Sequence, residues 1–319
     1  KQPVLLIGSQ ALFNPTQHEN LANAVQKLNI STFVSGLARG LLSKPDLPIF
    51  RHERTKALKE ADLVILAGVP CDFRLDYGRV INHKAKILSI NLSRNDLYLN
   101  RRPTKAILTS PGTFLIDWSN SEKNNSDSKW VNWQEQLAIR NDKRQADIID
   151  QSNIATDFVN PMKLCLSLNE HIQGGDIIVA DGGDFVATAS YILQPRSFTG
   201  WLDPGVFGTL GVGAGFILGA KLTHPNSVVW AIYGDGAFGY SLMEFDTFVR
   251  HNIPVIAIIG NDASWTQIAR DQVHMLGSAV STELAPTEYH KAVEALGGIG
   301  YFIDDENQSI YQVNDGSID

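Results

Sequence analysis

The sequence predicts an α/β protein of two doubly wound parallel-sheet domains. Two observations carry this. Short apolar runs alternate with stretches of helical periodicity along nearly the whole chain, which is the signature of strands joined by helical crossovers. A polar stretch from Ser119 to Lys129, rich in Ser, Asn, Asp and Lys, interrupts that alternation and reads as an exposed linker. The expected organisation is a first α/β domain over 1–118, a linker and surface helix over 119–157, and a second α/β domain over 158–319.

In the first domain, Val4–Ile7 followed by Gly8-Ser9 reads as a strand, and Leu21, Val25 and Leu28 share one face of a helix. Ser31–Val34 is a short strand. Leu58–Ala61 closes a helix, Leu63–Ala67 is a strand ending at Gly68, and Ile87–Ile90 is another. No GxGxxG or phosphate-loop pattern accompanies these strand ends, which argues against a nucleotide-binding module of those types. Trp130–Asp147 is expected to form a surface helix. In the second domain, Asn160-Pro161 suits a helix first turn, where proline's missing N–H costs nothing. Ile177–Ala180 is a strand ending in Asp181-Gly182-Gly183-Asp184, with Asp184 expected to cap the helix starting at Phe185.

The most informative stretch follows. Val228–Tyr233 is a buried strand by its β-branched and aromatic run, and it stops abruptly at Gly234-Asp235-Gly236. Leu242, Phe245, Phe248 and Val249 then recur at helical spacing until Asn252-Ile253-Pro254 ends the helix. Val255–Ile259 is a second buried run, and Asn261-Asp262 follow at once. A strand–helix–strand unit of this kind makes its two strands parallel, and both polar turns lie at carboxyl ends, where open α/β sheets bind ligands. Alone, Gly-Asp-Gly is a turn. With the second acidic turn it becomes half of a hard oxygen site suited to Mg²⁺ or Ca²⁺. Gly234 and Gly236 let the backbone approach a ligand, and the amides entering the next helix can hold a phosphate. Gly205–Gly219, GVFGTLGVGAGFILG, reads either as a tightly packed helix or as a loop and helix start meeting a flat cofactor.

Bulk properties exclude several classes. With 319 residues, 44% hydrophobic and 19% charged, the chain is an ordinary globular one. A net charge of −7 argues against a nucleic-acid partner. Cys71 and Cys165 are its only cysteines and form no CxxC, so neither zinc nor a disulfide framework is indicated. No apolar run approaches membrane-spanning length. The chain opens at Lys1 rather than Met, as expected of a piece of a longer protein.

GDG at 234–236, ND at 261–262 and FGTLGVGAG at 207–215 resemble the thiamine-diphosphate-dependent enzymes. DGGDF at 181–185, WLDPGVFGTLGVGAGF at 201–216 and GDGAFGYSLMEFDTFVRH at 234–251 are similar to the acetolactate-synthase-like, 2-hydroxyacyl-CoA lyase branch of that family. ARGLL at 38–42, LAGVPCDFRLDYGRV at 66–80 and INLSRNDL at 90–97 agree in the first domain. The resemblance implies a central domain followed by a diphosphate-binding domain. It implies thiamine diphosphate and Mg²⁺ as cofactors, with Asp235, Asp262 and the Ser264 carbonyl on the metal. The family commonly has Asn at the second position. In an alternative register Asn261 is that ligand, and Asp262 is preferred because it matches the second residue of the family's Asn-Asn pair. Gly236 and Ala237 would offer amides to the diphosphate, with Gly183 and Asp184 near its other side. The Gly208 carbonyl would accept from the aminopyrimidine, and Leu210 would bend the cofactor.

The implied reaction is cleavage of 2-hydroxyacyl-CoA to formyl-CoA and a shortened aldehyde, in the setting of fatty acid α-oxidation. The resemblance also implies a homodimer or homotetramer, and an endoplasmic reticulum membrane location conferred by an amino-terminal segment. An acetolactate-synthase-type transferase is the rival enzyme. It typically carries FAD in the central domain, which nothing in this sequence supports. A non-catalytic, dimerising remnant is the other rival. The family's activating glutamate sits in a pyrimidine-binding domain that this chain does not resemble, so no catalytic residue is assigned and the chain alone is expected not to turn over. Arg51-His52-Glu53 looks superficially like that glutamate's neighbourhood, but it precedes LKEADLVILAG of the central domain, and Glu53 reads as an exposed residue near a helix start. Val313 into Asn314–Ile318 resembles the family's extreme tail, so a closing segment is expected to be absent, with a like gap near Arg101-Arg102-Pro103. Trp265, Gln267 and Arg270 are read as lining a substrate channel or as a helix surface with one buried Trp.

Overall fold

The computed structural model describes residues 1–121 and 130–304. They form two compact units, Lys1–Asp147 with Ser197–Thr199, and Ile148–Arg196 with Gly200 onward.

In the first unit, the strands are β1 (Pro3–Ile7), β2 (Thr32–Val34), β3 (Leu63–Ala67), β4 (Lys86–Asn91) and β5 (Lys105–Leu108). All pair in parallel, in the order β2-β1-β3-β4-β5. The apolar runs are continuous because both faces are covered. Leu5, Ile7, Ile65 and Ala67 pack with Leu21 and Val25 of α1 (His18–Leu28). Val4, Leu6, Val64 and Leu66 face the other way, toward Leu58 of α2 (Arg54–Glu60). Helix α3 (Arg94–Leu97) follows β4, and α4 (Pro111–Ser121) follows β5. Ser119–Ser121, read as the start of a linker, are the last turn of α4, and 122–129 lie outside the described residues. Helix α5 spans Val131–Ser152 and buries Trp133 and Leu137 against the second of these cores.

Glu53 is exposed and immediately precedes α2, in keeping with the reading of a helix-start residue. Arg101 is structural: its guanidinium donates to the carbonyls of Gly78, Ile81 and Asn82. The strand β5 has no clear signal in the sequence, being short and only partly buried.

The second unit contains α6 (Pro161–His171), β6 (Ile177–Ala180), α7 (Asp184–Ile192), β7 (Trp201–Leu202), α8 (Gly213–Thr223) and β8 (Val229–Gly234). After these come α9 (Asp235–Ser241), α10 (Glu244–Arg250), β9 (Ile256–Gly260), α11 (Thr266–Leu276) and α12 (Tyr289–Ala295). Its strands are again all parallel, in the order β7-β6-β8-β9. Asn160 caps α6 through its side chain, accepting from Met162 N–H at 3.0 Å, and Pro161 fills the first helical position. Alternation along β8 sends Trp230 and Ile232 to one core and Val229, Ala231 and Tyr233 to the other. The single helix expected between β8 and β9 is two: α9 and α10 are separated by a turn at Leu242-Met243. Phe245 and Phe248 are buried as their spacing predicts, whereas Val249 is exposed. Among the described residues no helix is long and apolar enough to cross a membrane. Val313–Ile318 lie outside the described residues.

Candidate functional site

Three strand ends and one glycine-rich loop of the second unit meet. The ends of β6 and β8 are joined by the Gly234 amide donating to Gly182 O at 2.7 Å. The backbones touch there: a Cβ on Gly183 would lie 2.8 Å from Gly234 Cα, and Gly183 has φ +119°. Only glycine reconciles that approach with that conformation. Gly183 also corrects the expectation for Asp184. The cap position belongs to Gly183, no side chain caps α7, and Asp184 is the helix's first residue. Its carboxylate pairs instead with Arg270 of α11 at 2.8 Å, so its charge is balanced from within the unit.

Asp181, at the tip of β6, was passed over as part of a turn. It is buried, and its carboxylate accepts from the Gly211 amide at 3.1 Å and the Gly213 amide at 2.9 Å. It thereby ties down the loop carrying Gly208 and Leu210. Leu210 reaches toward Gly182, where a Cβ would fall 2.1 Å from Leu210 Cδ2. Gly208 has φ +57°, and a Cβ there would meet nothing within 4 Å. Bare backbone is therefore presented at Gly208, as a flat ligand requires. Burial pushes the Asp181 carboxyl up, and the two amides draw it back.

Asp235 begins α9 and is 3% exposed. Its Oδ1 accepts from the Gly236 amide at 2.8 Å, while Oδ2 is buried and makes no hydrogen bond of good geometry, the Ser264 and Ala263 amides lying only near enough to favour its charge. A buried carboxylate oxygen without a well-formed hydrogen bond is costly unless something supplies positive charge. Burial raises its pKa. The Gly236 amide opposes this, the nearby charge of Asp262 adds to it, and the amides of Ser264 and Ala263 oppose it again. Asp262 sits in the loop after β9, exposed, its Oδ2 accepting from Thr266 Oγ1 at 2.6 Å. Asn261 is turned elsewhere: its Nδ2 donates to Thr287 O at 2.9 Å. Ala237 is buried behind the turn. Among the described residues no group of three or more His, Cys, Asp or Glu side chains gathers as a metal cluster. The arrangement is a carboxylate pair with backbone around it, a donor set compatible with Mg²⁺, which takes one or two carboxylates and fills its shell with phosphate and water oxygens.

Trp265 is partly buried and closes the other side of the turn, its six-membered ring against Gly236. Gln267 is exposed, and Arg270 is the partner of Asp184.

Parallel sheet, acidic turns at strand ends and glycine backbone in close approach define an α/β ligand-binding domain of the diphosphate-holding class. The family models agree in both units. "Thiamine pyrophosphate enzyme, central domain" matches residues 1–117, and "Thiamine pyrophosphate enzyme, C-terminal TPP binding domain" matches 181–315. This chain belongs to the thiamine pyrophosphate enzymes. It is 46% identical over 314 residues to 2-hydroxyacyl-CoA lyase 2 of Bos taurus, covering 97% of this chain and 49% of that protein. Against the Mus musculus protein of the same name it is 47% identical over 313 residues, with the same coverage of both chains. A probable acetolactate synthase of Mycobacterium bovis is 32% identical over 309 residues, covering 95% and 55%. The chain thus spans about half the length of the curated relatives it matches. Among solved structures, the thiamine diphosphate-dependent 4-hydroxybenzoylformate decarboxylase of Rhodococcus jostii shares the fold, with a TM-score of 0.77 at 15% identity, over 97% of this chain and 57% of that one.

Proposed function

We propose that the second unit holds the diphosphate of thiamine diphosphate together with Mg²⁺, and that the whole protein is a carbon–carbon lyase cleaving 2-hydroxyacyl-CoA to formyl-CoA and an aldehyde. The observation that carries the binding reading is Asp235: a buried carboxylate with one oxygen lacking a well-formed hydrogen bond, close enough to the carboxylate of Asp262 at the neighbouring strand end to feel its charge. The lyase reading is supported by identities of 46–47% to 2-hydroxyacyl-CoA lyases against 32% to an acetolactate synthase.

In this reading Asp235, Asp262 and the Ser264 carbonyl hold the metal. Asn261 is the alternative ligand: its Nδ2 donates to Thr287 O, which leaves Oδ1 as the atom that would reach the metal. The Ala237 amide, at the start of α9, would face one side of the diphosphate, where a helix N-terminus favours negative charge; the Gly236 amide, which donates to Asp235 Oδ1 at 2.8 Å, would join it only by leaving that bond. Gly183 and Asp184 border its other side, and Arg270 offsets the repulsion that Asp184 alone would cause. The Gly208 carbonyl is the acceptor for the cofactor's amino group, and Leu210 packs beneath its bend. Bound thiamine diphosphate supplies the carbanion chemistry of carbon–carbon cleavage, and the protein supplies anchoring and orientation. Assembly as a homodimer or homotetramer and residence at the endoplasmic reticulum membrane belong to the same proposal and rest on the resemblance alone.

The test is calorimetric titration of thiamine diphosphate into the chain with Mg²⁺ present. Binding is expected for the native sequence and absent for Asp235→Ala. Equal binding by both would move the site elsewhere. Formyl-CoA release from 2-hydroxyacyl-CoA by the whole protein tests the lyase half.

A further inference from the structure

The two acidic turns hang from different strands, and one short segment grips both. Trp265 N–H donates to Thr282 O at 2.8 Å, and Leu284 N–H donates to Ala263 O at 2.7 Å. Ser264 and Glu283 form an antiparallel bridge between those bonds. Asn261 Nδ2 adds its bond to Thr287 O at 2.9 Å. The loop after β9 is therefore stitched to residues 282–287 along its length. Two residues further on, Tyr289 crosses to the other turn, its hydroxyl donating to the carbonyl of Asp235 itself at 3.1 Å. The ring of Tyr289 is fixed by packing edge-on against Phe238 of α9, with centroids 5.1 Å apart and planes at 88°.

From this we infer that Tyr289 is a positioning residue for the divalent-cation site: its hydroxyl, acting on the Asp235 carbonyl, sets that carboxylate relative to Asp262. The inference rests on the reading that Asp235 and Asp262 share a cation. Its physical basis is that cation affinity depends on how well the ligand oxygens are held before the ion arrives, which is why partners of the ligands matter nearly as much as the ligands. Thr282–Tyr289 grips the Asp262 loop through backbone bonds, so a side-chain change leaves most of that grip in place. The Asp235 turn is gripped from this segment through a single hydroxyl, which one substitution removes cleanly.

Tyr289→Phe keeps the ring and its packing on Phe238 while deleting the donor. Mn²⁺ is the probe, titrated into the full chain with and without inorganic pyrophosphate and followed by the loss of the free-ion electron paramagnetic resonance signal. The native chain is expected to bind Mn²⁺ in a manner abolished by Asp235→Ala. Tyr289→Phe is expected to bind about tenfold more weakly, the lower end for a residue supporting a metal ligand, with the melting temperature of the cation-free chain little changed. Unchanged Mn²⁺ affinity in Tyr289→Phe overturns the inference and leaves the site reading standing. A loss of melting temperature without a loss of Mn²⁺ affinity overturns it as well, assigning the hydroxyl to folding alone. No Mn²⁺ binding by the native chain that Asp235→Ala removes overturns the site reading, and the inference with it.

Discussion

The six-membered ring of Trp265 lies directly on Gly236: a Cβ placed there would fall 2.4 Å from both Cη2 and Cζ3 of the indole. Glycine at this position thus answers to a neighbouring side chain as well as to a ligand. Gly236→Ala is expected to destabilise the chain by about 1–3 kcal/mol, as other overpacked sites do. Urea unfolding of Gly236→Ala, Trp265→Ala and the double variant checks this. With the ring removed, the alanine is expected to cost far less, so the cycle shows coupling.

The two candidate ligands in the loop after β9 separate by mutation. The charge of Asp262 is felt at Asp235, whereas the Asn261 Nδ2 donates to Thr287 O. Asp262→Ala is expected to weaken Mn²⁺ binding by roughly 100-fold or more, as losing a full charge beside a cation at an effective dielectric of about 20 requires. Asn261→Ala removes no charge and breaks the bond to Thr287, and is expected to cost about tenfold or less. Calorimetry on both variants decides, and the reverse order would make Asn261 the ligand.

Asp181 gives a pH signature. Burial raises its folded pKa above the unfolded one, with the Gly213 and Gly211 amides offsetting part of the rise. Between the two values the native state binds more protons than the unfolded state, so stability falls as pH rises through that window. The slope of the unfolding midpoint against pH, measured from about pH 4 upward, is expected to be more negative in the native sequence than in Asp181→Asn. Identical slopes would show that Asp181 titrates as it does in the unfolded chain.

The two thiols are expected to be inert in the folded chain. Cys71 is 4% exposed with its pKa raised to about 11, and Cys165 is fully buried with its pKa raised to about 12, in each case chiefly by burial. Thiolate is the reacting species, so an aromatic disulfide reagent at neutral pH is expected to leave both untouched until denaturant is added. Rapid labelling of either in the native state would contradict the packing.

Much of the fold was legible because strands covered on both faces leave continuous apolar runs such as Leu63–Ala67 and Ile177–Ala180. The strands β5 and β7 leave no such run: Lys105–Leu108 is partly exposed, and Trp201–Leu202 is two residues long. The two acidic turns were legible from their places after β8 and β9. Asp184 was misread because Asp-Gly-Gly-Asp offers more than one cap, and the choice fell to Gly183 through a positive φ that sequence does not display. Asp181 and Tyr289 were missed for a different reason. Their partners lie 30 and 54 residues away in the chain, and no local pattern encodes a contact of that span.

The two halves of the carboxylate pair are anchored unequally. Asp235 extends from β8, whose residues are all buried between β6 and β9, whereas Asp262 follows β9, an edge strand of the described sheet and only partly buried along its length. Opening of the sheet from that rim exposes the backbone of Ile256–Gly260 while β8 stays closed, so its amides are expected to exchange with deuterium before those of β8. An ion shared between the two turns would fasten rim to centre, and the slowing of exchange it brings would appear mainly in β9, making that strand the place where occupancy of the site is felt as local rigidity.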